Sequence, residues 1–191
     1  MMRDELAKRK QKGTIKMIDK AEWEKAVAFH GHACPGLAIG VRAAVEAMAR
    51  LKTGASEDEE LVCVTENDAC GVDGVQVLTG CTFGKGNLLY RDTGKQAFSF
   101  FDRRSGSKVR FMLKWLEKEM SRDERMDYIL SAPVGEVFSI TEPAYDLPEK
   151  ARRFQTVSCQ ICGEGAPEHK MRLQEGKTVC LDCFKAYDRG F

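Results

Sequence analysis

Residues 29–36 read Phe29-His30-Gly31-His32-Ala33-Cys34-Pro35-Gly36. This loop lies between two predicted helices and holds two imidazoles and one thiol within five positions. Gly31 suits the left-handed conformation in which many helices end, and Pro35 suits the first position of the next helix, where its missing N–H would be unpaired anyway. Cys34 is therefore predicted at or next to a helix N-cap. Free N–H donors and the helix dipole favour a thiolate there, which makes Cys34 a candidate metal ligand or nucleophile.

The two histidines of this loop extend the candidate site. His30 and His32 can reach a common point with Cys34 if the loop is extended. We predict a metal ion held by His32 and Cys34, with His30 as a ligand or as a residue that orients one. Neutral imidazole and thiolate suit zinc, the expected ion, although nickel, iron and copper also bind such donors. The alternative is that the imidazoles are ordinary satisfied polar groups of the core and Cys34 is a small hydrophobe.

Helices are predicted on both sides of the loop. Residues 21–30 give a short helix, and residues 36–52 give a longer one with a single apolar stripe. Gly36 and Gly40 lie four positions apart on the longer helix. They either allow a second backbone or a ligand to come close, or they are tolerated small residues. The stripe consists of Leu37, Val41, Ala44, Val45, Met48 and Leu51.

A second cysteine motif follows a predicted buried strand at residues 61–65. Cys63 lies within that strand and is predicted to pack in the core. The polar residues 66–71 come next, in a loop of the kind that often carries function at the end of a strand. A helix is predicted to begin near Cys70 and to run to Thr79, so that Cys70 repeats the position of Cys34.

A glycine-rich turn closes this motif at residues 80–87. It has three residues between its first glycine and its Gly-Lys pair, whereas the phosphate-binding P-loop needs four and then Ser or Thr. We therefore exclude a P-loop. The glycines are predicted instead to bring Cys81 and Lys85 to the pocket, with Cys70 or Cys81 near the metal.

The rest of the N-terminal chain predicts an α+β fold. Residues 88–101 give two strands joined by a turn at Thr93-Gly94-Lys95, with a hairpin as the simplest pairing. The result is a mixed or antiparallel sheet with helices packed on it, on one side. This domain spans residues 1–152 and ends in a linker at about 143–153. The later elements expected are a strand at 108–113, a helix at 122–131 and a strand at 134–141.

The C-terminal segment 153–191 carries two Cys-x-x-Cys pairs separated by seventeen residues. Such pairs supply the four thiolates of a closed structural zinc site, and so short a segment could hardly fold without the ion. The predicted ligands are Cys159, Cys162, Cys180 and Cys183.

The elements expected around these cysteines are similar to those of a treble-clef zinc finger. A hairpin is predicted from His169 to Val179, with Gly176 at its turn, and a short helix from Leu181 to Asp188. His169 is assigned to the hairpin because four cysteines already complete the tetrahedron.

Length and composition limit the class of protein. The 191 residues, 43% of them hydrophobic, suffice for one full domain and a small appendage. No apolar run could span a bilayer, and residues 1–20 lack the apolar centre of a signal peptide, so a cytoplasmic protein is expected. In that compartment, eight cysteines indicate metal ligands or reactive thiols rather than disulfides. The basic segment 1–20 is most simply a solvated helix or a frayed arm.

Three stretches together resemble the FmdE family, which belongs to the formylmethanofuran dehydrogenase system. They are FHGHACPGLAIGVRAA from Phe29, ENDACGVDGVQVLTGCTFGKGNL from Glu66 and DTGKQAF from Asp92. The resemblance covers roughly residues 20–150. It implies an α+β domain, a metal-capable pocket built from the His/Cys loop and the second cysteine motif, and dimerisation. The family takes its name from a molybdenum- or tungsten-dependent system of one-carbon metabolism, and the resemblance does not supply a reaction.

Three functions are compatible with these features. The first is a metal-dependent enzyme, or part of a larger enzyme, of redox or one-carbon metabolism. Its catalytic residues would be Cys34 and His32, with Asp68, Asp73 or Lys85 moving protons. The second is an accessory or metal-handling protein that docks onto a larger dehydrogenase through its finger.

The third function, a nucleic-acid-binding regulator, is the least supported. The whole chain has a formal net charge of only +1, and residues 154–191 carry five basic and five acidic residues. Four thiolates around Zn²⁺ add a charge of −2, which makes the finger a poor surface for phosphates.

Overall fold

The structure is a computed structural model that describes residues 18–115, 119–187 and 189–190. The chain divides into two compact units, Met1–Lys150 and Ala151–Phe191. Most of the basic segment 1–20 lies outside the described residues. In the part of the chain that is described, no helix has the length and apolar character needed to cross a membrane.

The first unit contains five helices among the described residues. The first begins at an Asp19 cap, and the second ends at Lys52, which adopts a left-handed conformation. The predicted helices at 21–30, 36–52 and 122–131 are confirmed to within a residue or two. In chain order the helices are α1 Lys20–His30, α2 Pro35–Leu51, α3 Gly71–Thr79, α4 Arg122–Ser131 and α5 Val134–Val137.

A mixed five-stranded sheet, in the order β2-β1-β3-β4-β5, forms the other layer. Strand β1 lies parallel to β2 and antiparallel to β3, and the remaining neighbours are antiparallel. The α+β class with a mixed sheet is therefore confirmed. The strands are β1 Leu61–Thr65, β2 Leu88–Tyr90, β3 Ala97–Asp102, β4 Lys108–Leu113 and β5 Phe138–Thr141.

Two predictions about these strands are wrong. The strands around Thr93-Gly94-Lys95 do not form a hairpin, because β1 lies between β2 and β3 and pairs with both. The element predicted as one strand at 134–141 begins instead with helix α5, and only its second half pairs with β4. Pro133 at the N-cap of α5 sets up that turn before the chain extends.

The helices pack on one face of the sheet. Strand positions alternate, so that Cys63, Phe98, Phe100 and Phe111 join a core with α2 and α3, and the prediction that Cys63 packs in the core is confirmed. The opposite face carries a smaller cluster built on Val62, Val64 and Phe101, against which Tyr145 packs.

Helices α2 and α3 touch through glycines. A Cβ atom added at Gly40 would lie 1.8 Å from the carbonyl oxygen of Gly71, and one at Gly74 would lie 2.8 Å from the backbone nitrogen of Val41. Of the two explanations for Gly40, close approach of a second backbone is therefore the correct one. This contact holds the N-termini of α2 and α3 side by side.

The second unit consists of two small hairpins around the four cysteines. Strands β6 Thr156–Ser158 and β7 Gly165–Pro167 form one pair, and β8 Arg172–Gln174 and β9 Lys177–Val179 form the other. The predicted hairpin is thus present in its second half, with Gly176 at φ +75° in its turn. The helix predicted at 181–188 is absent over the described residues 181–187, which form a turn and extended chain.

Candidate metal centre and adjoining cavity

The loop between α1 and α2 has the capping geometry that its sequence predicts. Gly31 ends α1 in a left-handed conformation with φ 91°, and Pro35 is the first residue of α2. Cys34 is the N-cap: its backbone is extended, and its Sγ accepts a hydrogen bond of 3.3 Å from the Leu37 N–H. The residue is 5% exposed. A buried sulfur that already accepts an N–H bond at a helix start is well placed to carry negative charge.

His30 connects Cys34 to helix α3. Its Nδ1 lies 2.7 Å from Asp73 Oδ2, and its Nε2 lies 3.8 Å from Cys34 Sγ. An ionised carboxylate can only accept, so Nδ1 carries the proton and Nε2 keeps a lone pair directed toward the thiol. Metal-binding histidines are commonly oriented by a carboxylate in this way.

His32 completes a set of three donor residues. Its ring centroid lies 4.5 Å from that of His30, and donor atoms from His30, His32 and Cys34 all lie within 4.8 Å of one another. In a tetrahedral zinc site the bond lengths place neighbouring N and S donors roughly 3.5 Å apart. The 3.8 Å separation between His30 Nε2 and Cys34 Sγ fits that geometry. The three residues can therefore hold a zinc-like ion, although their role as ligands stays a prediction.

Cys70 lies beside this cluster. A Cβ atom added at Gly36 would lie 3.5 Å from Cys70 Sγ and 3.8 Å from Cys34 Sγ, so both sulfurs border the same point. Burial raises the pKa of the Cys70 thiol, and the neighbouring Cys34 thiol raises it further. Cys70 makes no side-chain cap bond at the start of α3. The position therefore does not by itself stabilise a thiolate, as the sequence suggested, and Cys70 differs from Cys34 in this respect.

Two other predicted pocket residues are placed elsewhere. Cys81 is fully buried in the core, where its Sγ donates to the Leu61 carbonyl at 3.3 Å, and burial raises its pKa to about 11. Lys85 Nζ donates to the Ser56 carbonyl at 2.9 Å. The glycine-rich turn thus does not bring Cys81 or Lys85 to the cluster, because its side chains pack against the 56–61 segment.

A cavity of about 470 Å³ opens beside the metal cluster. Its wall includes His30, Cys70 and Asp73, which connect it to the cluster. Asp68 also lines it, so two of the three proton carriers proposed from the sequence lie at the cavity. The volume falls within the usual range for small-molecule sites.

The loop between β1 and α3 forms one side of this cavity and is tightly held. Asn67, 3% exposed, donates from Nδ2 to the Lys95 carbonyl, and its Oδ1 accepts from the Ala69 N–H. Glu66 is buried against Arg110 at 2.7 Å. Although burial opposes ionisation of Glu66, hydrogen bonds from Arg110 and Thr93 lower its pKa. The loop therefore presents Asp68 and Cys70 in a fixed conformation.

The four cysteines of the second unit converge on one point. Their sulfur atoms lie within 4.8 Å of one another, and Cys162 Sγ is 3.8 Å from Cys180 Sγ. That separation equals the roughly 3.8 Å expected between thiolates on a tetrahedral zinc ion. Hydrogen bonds from the backbone N–H groups of Cys162 and Cys180 lower the pKa of Cys159 to about 6, whereas the adjacent Cys180 thiol raises that of Cys183 to about 12. A bound cation would relieve the crowding of thiols, so the residues fit zinc.

Comparison with known families supports both units. Residues 29–139 match the family described as "FmdE, Molybdenum formylmethanofuran dehydrogenase operon". The chain belongs to the FmdE family. Residues 152–189 match the prokaryotic dksA/traR C4-type zinc finger. Both resemblances concern the segments that carry the His/Cys cluster and the four-cysteine cluster.

Two relatives place this FmdE-family chain further. It is 31% identical to a "Probable S-adenosyl-L-methionine-binding protein" of Archaeoglobus fulgidus over 85% of its own length and 52% of the relative. The chain thus spans about half the length of that relative. A crystal structure of a tungsten formylmethanofuran dehydrogenase FmdE-like protein from Syntrophus aciditrophicus has 27% identity and a TM-score of 0.64, with 86% of this chain and 90% of that one covered.

Several cavity residues of the FmdE unit were missed from the sequence. Phe83 and Tyr90 line the cavity, yet neither carries a local pattern that marks a site. Tyr90 reaches it because β2 lies beside β1, a pairing that the predicted hairpin conceals. The role of Asp73 as the partner of His30 was also missed, although the two residues lie at the end of one helix and the start of another.

Proposed function

We propose that this FmdE-family chain is a metal-dependent protein of redox or one-carbon metabolism, with zinc as the expected ion at His30, His32 and Cys34. The observation that carries the proposal is the position of these three donors, within 4.8 Å of one another and beside a cavity that shares His30 with them. Three protein ligands next to a cavity are typical of a catalytic metal site, in which one position stays open to water or substrate.

Each residue of the proposed site has a separate role. Asp73 holds the His30 ring through Nδ1, and it is therefore a positioning residue rather than a free proton carrier. Asp68 is exposed on the cavity wall and can accept or return a proton there. A bound zinc ion would supply Lewis acidity and lower the pKa of a bound water.

The second candidate function is an accessory or metal-handling protein. Cys70 favours it, because its sulfur and that of Cys34 border the same point, and a fourth protein ligand would close the coordination sphere. In that case the dksA/traR-type finger is the proposed contact with a larger dehydrogenase. A nucleic-acid partner is least supported, since the finger segment has equal numbers of basic and acidic residues.

The metal proposal predicts two metal ions per chain in the metal-replete protein. Cys34→Ser or His32→Ala should lower the content to one, because each removes a donor of the cluster and leaves the finger intact. Asp73→Asn should keep the ion but weaken its affinity about 10- to 100-fold, since the carboxylate only orients His30. Elemental analysis and competition with a chelator measure both effects. One metal per unmutated chain would defeat the proposal.

Substitution with Co²⁺ separates the two candidate functions. The proposed enzyme has an open coordination position, so that azide should change the visible absorption of the pocket cobalt. If Cys70 closes the site, azide leaves the spectrum unchanged and Cys70→Ser restores the response. The finger cobalt serves as an internal control, because four thiolates leave no open position.

Assembly as a homodimer is part of the same proposal. It follows from the likeness to the FmdE family and from a cavity whose walls are partly loops that a second copy of the chain could cover. Light scattering at micromolar concentration should give about twice the chain mass of 21.4 kDa. A monomer would remove this part of the proposal.

A further inference from the structure

The cavity beside the metal cluster has a distinct chemical character. Among the described residues that line it, none is Lys or Arg, whereas two are carboxylates, Asp68 and Asp73. Asp73 uses one oxygen for His30, and Asp68 makes no hydrogen bond or ion pair within the described part of the chain. The cavity therefore offers acceptors and negative charge rather than donors for an anion.

The nearest cationic side chains are engaged elsewhere. Arg110 pairs with Glu66, and the Arg91 guanidinium lies 5.0 Å from the centre of the Tyr145 ring. Lys85 Nζ is bonded to the backbone of Ser56 and Glu57. Phosphate or carboxylate groups in the cavity would thus lack the charged partners that usually bind them.

Two aromatic rings stand at the cavity with unusual exposure. Phe83 is 75% exposed and Tyr90 is 45% exposed, and both line the cavity. The pKa of Tyr90 is raised by its hydrogen bond to Asp92 and by the charges of Asp68 and Asp92, which indicates a negative potential at this edge. Aromatic faces in a negative field attract flat or cationic organic groups.

A bound metal would not reverse this charge. Zinc with the single thiolate of Cys34 has a net charge of +1, and with Cys70 as a second thiolate it is neutral. The two aspartates outweigh the metal centre in both cases.

We propose that the cavity binds a cationic organic molecule with a flat ring, held by Asp68 and by the aromatic faces of Phe83 and Tyr90. This inference rests on the proposed function in that the ligand is the small molecule that reaches the metal. Val72 and Leu88 supply apolar surface for its ring. The positive group lies toward Asp68, away from the cluster.

Three flat bicyclic probes of similar size test the charge preference. They are 1-methylquinolinium, 2-naphthol and naphthalene-2-sulfonate, which are cationic, neutral and anionic at pH 7.5. Calorimetry with the full metal-replete chain should show that the cation binds at least about tenfold more tightly than the sulfonate. Added salt should reduce that ratio, because the carboxylates are solvent-accessible.

Matched variants assign the effect to residues. Asp68→Asn should weaken cation binding about two- to fivefold and leave 2-naphthol unchanged. Phe83→Ala should weaken both the cation and 2-naphthol by about two- to fivefold. Asp127→Asn removes an exposed carboxylate that does not line the cavity, and it should change nothing.

The outcomes separate this inference from the metal proposal. Equal or tighter binding of the sulfonate, no binding of any probe, or an unchanged cation affinity in Asp68→Asn would overturn it. Metal content is measured on the same samples. Two metals per chain without a cation preference overturn the cavity assignment alone, whereas a cation preference with one metal per chain supports the cavity assignment and removes the pocket metal.

Discussion

Removal of zinc from the second unit is expected to unfold residues 151–191 and to leave the first unit folded. Among the described residues of the finger, the buried core consists only of Cys159, Val179 and Cys180, and two of these are predicted zinc ligands. Its hairpins have three residues in each strand. So small a core cannot offset the chain entropy of some forty residues, whereas structural zinc contributes roughly 10–16 kcal/mol in comparable fingers. The first unit has its own sheet and helices.

Amide hydrogen exchange on the intact chain measures this separation. Cys159→Ser, or chelation of wild-type protein, should abolish protection in the β6–β9 hairpins while the strands β1 and β3 keep theirs. Ser158→Ala is the matched control, because it changes the neighbouring position and removes no ligand. Loss of protection in both units together would show that the boundary after Lys150 is not a boundary of stability.

Local features of this chain are predictable from its sequence because they depend on a few adjacent residues. Gly31 and Pro35 fix the end of α1 and the start of α2 through their own backbone preferences, and Cys34 follows as the N-cap. The four finger cysteines are predictable for the same reason, since their spacing is a property of one metal site.

Long-range pairing is what the sequence does not determine. A turn at Thr93-Gly94-Lys95 favours a hairpin locally, yet β2 pairs parallel with β1 and leaves β3 for the other edge of β1. The prediction of Cys81 as a pocket residue fails in a related way. A cysteine next to a glycine-rich turn can face the pocket or the core, and the 3.3 Å bond to the Leu61 carbonyl places it in the core.

The candidate site itself depends on a contact that no local pattern reveals. His30 and Cys34 come from one side of it, and Cys70 and Asp73 come from the other. They meet because Gly40 on α2 and Gly71 on α3 allow the two backbones to touch. The sequence showed only that Gly40 was small.

Gly40→Ala is therefore expected to destabilise the first unit by about 3 kcal/mol, measured as the free energy of unfolding in urea. The added Cβ would lie 1.8 Å from the Gly71 carbonyl oxygen and 2.6 Å from its Cα, so that backbone rather than a flexible side chain must move. Overpacking of this kind costs about 1–3 kcal/mol or more, which outweighs the roughly 1 kcal/mol that alanine gains in a helix.

The matched control for this substitution is Gly135→Ala, because Gly135 also lies in a helix but has open space around its Cα. It should leave stability unchanged or raise it slightly, as expected for an unobstructed helical glycine. In Gly40→Ala the separation of α2 from α3 should also move Asp73 away from His30, so the pocket metal is lost at lower chelator concentrations while the finger metal stays. A variant as stable as wild type, with the same metal affinity, would show that the two helices can move apart without cost and that their contact does not build the site.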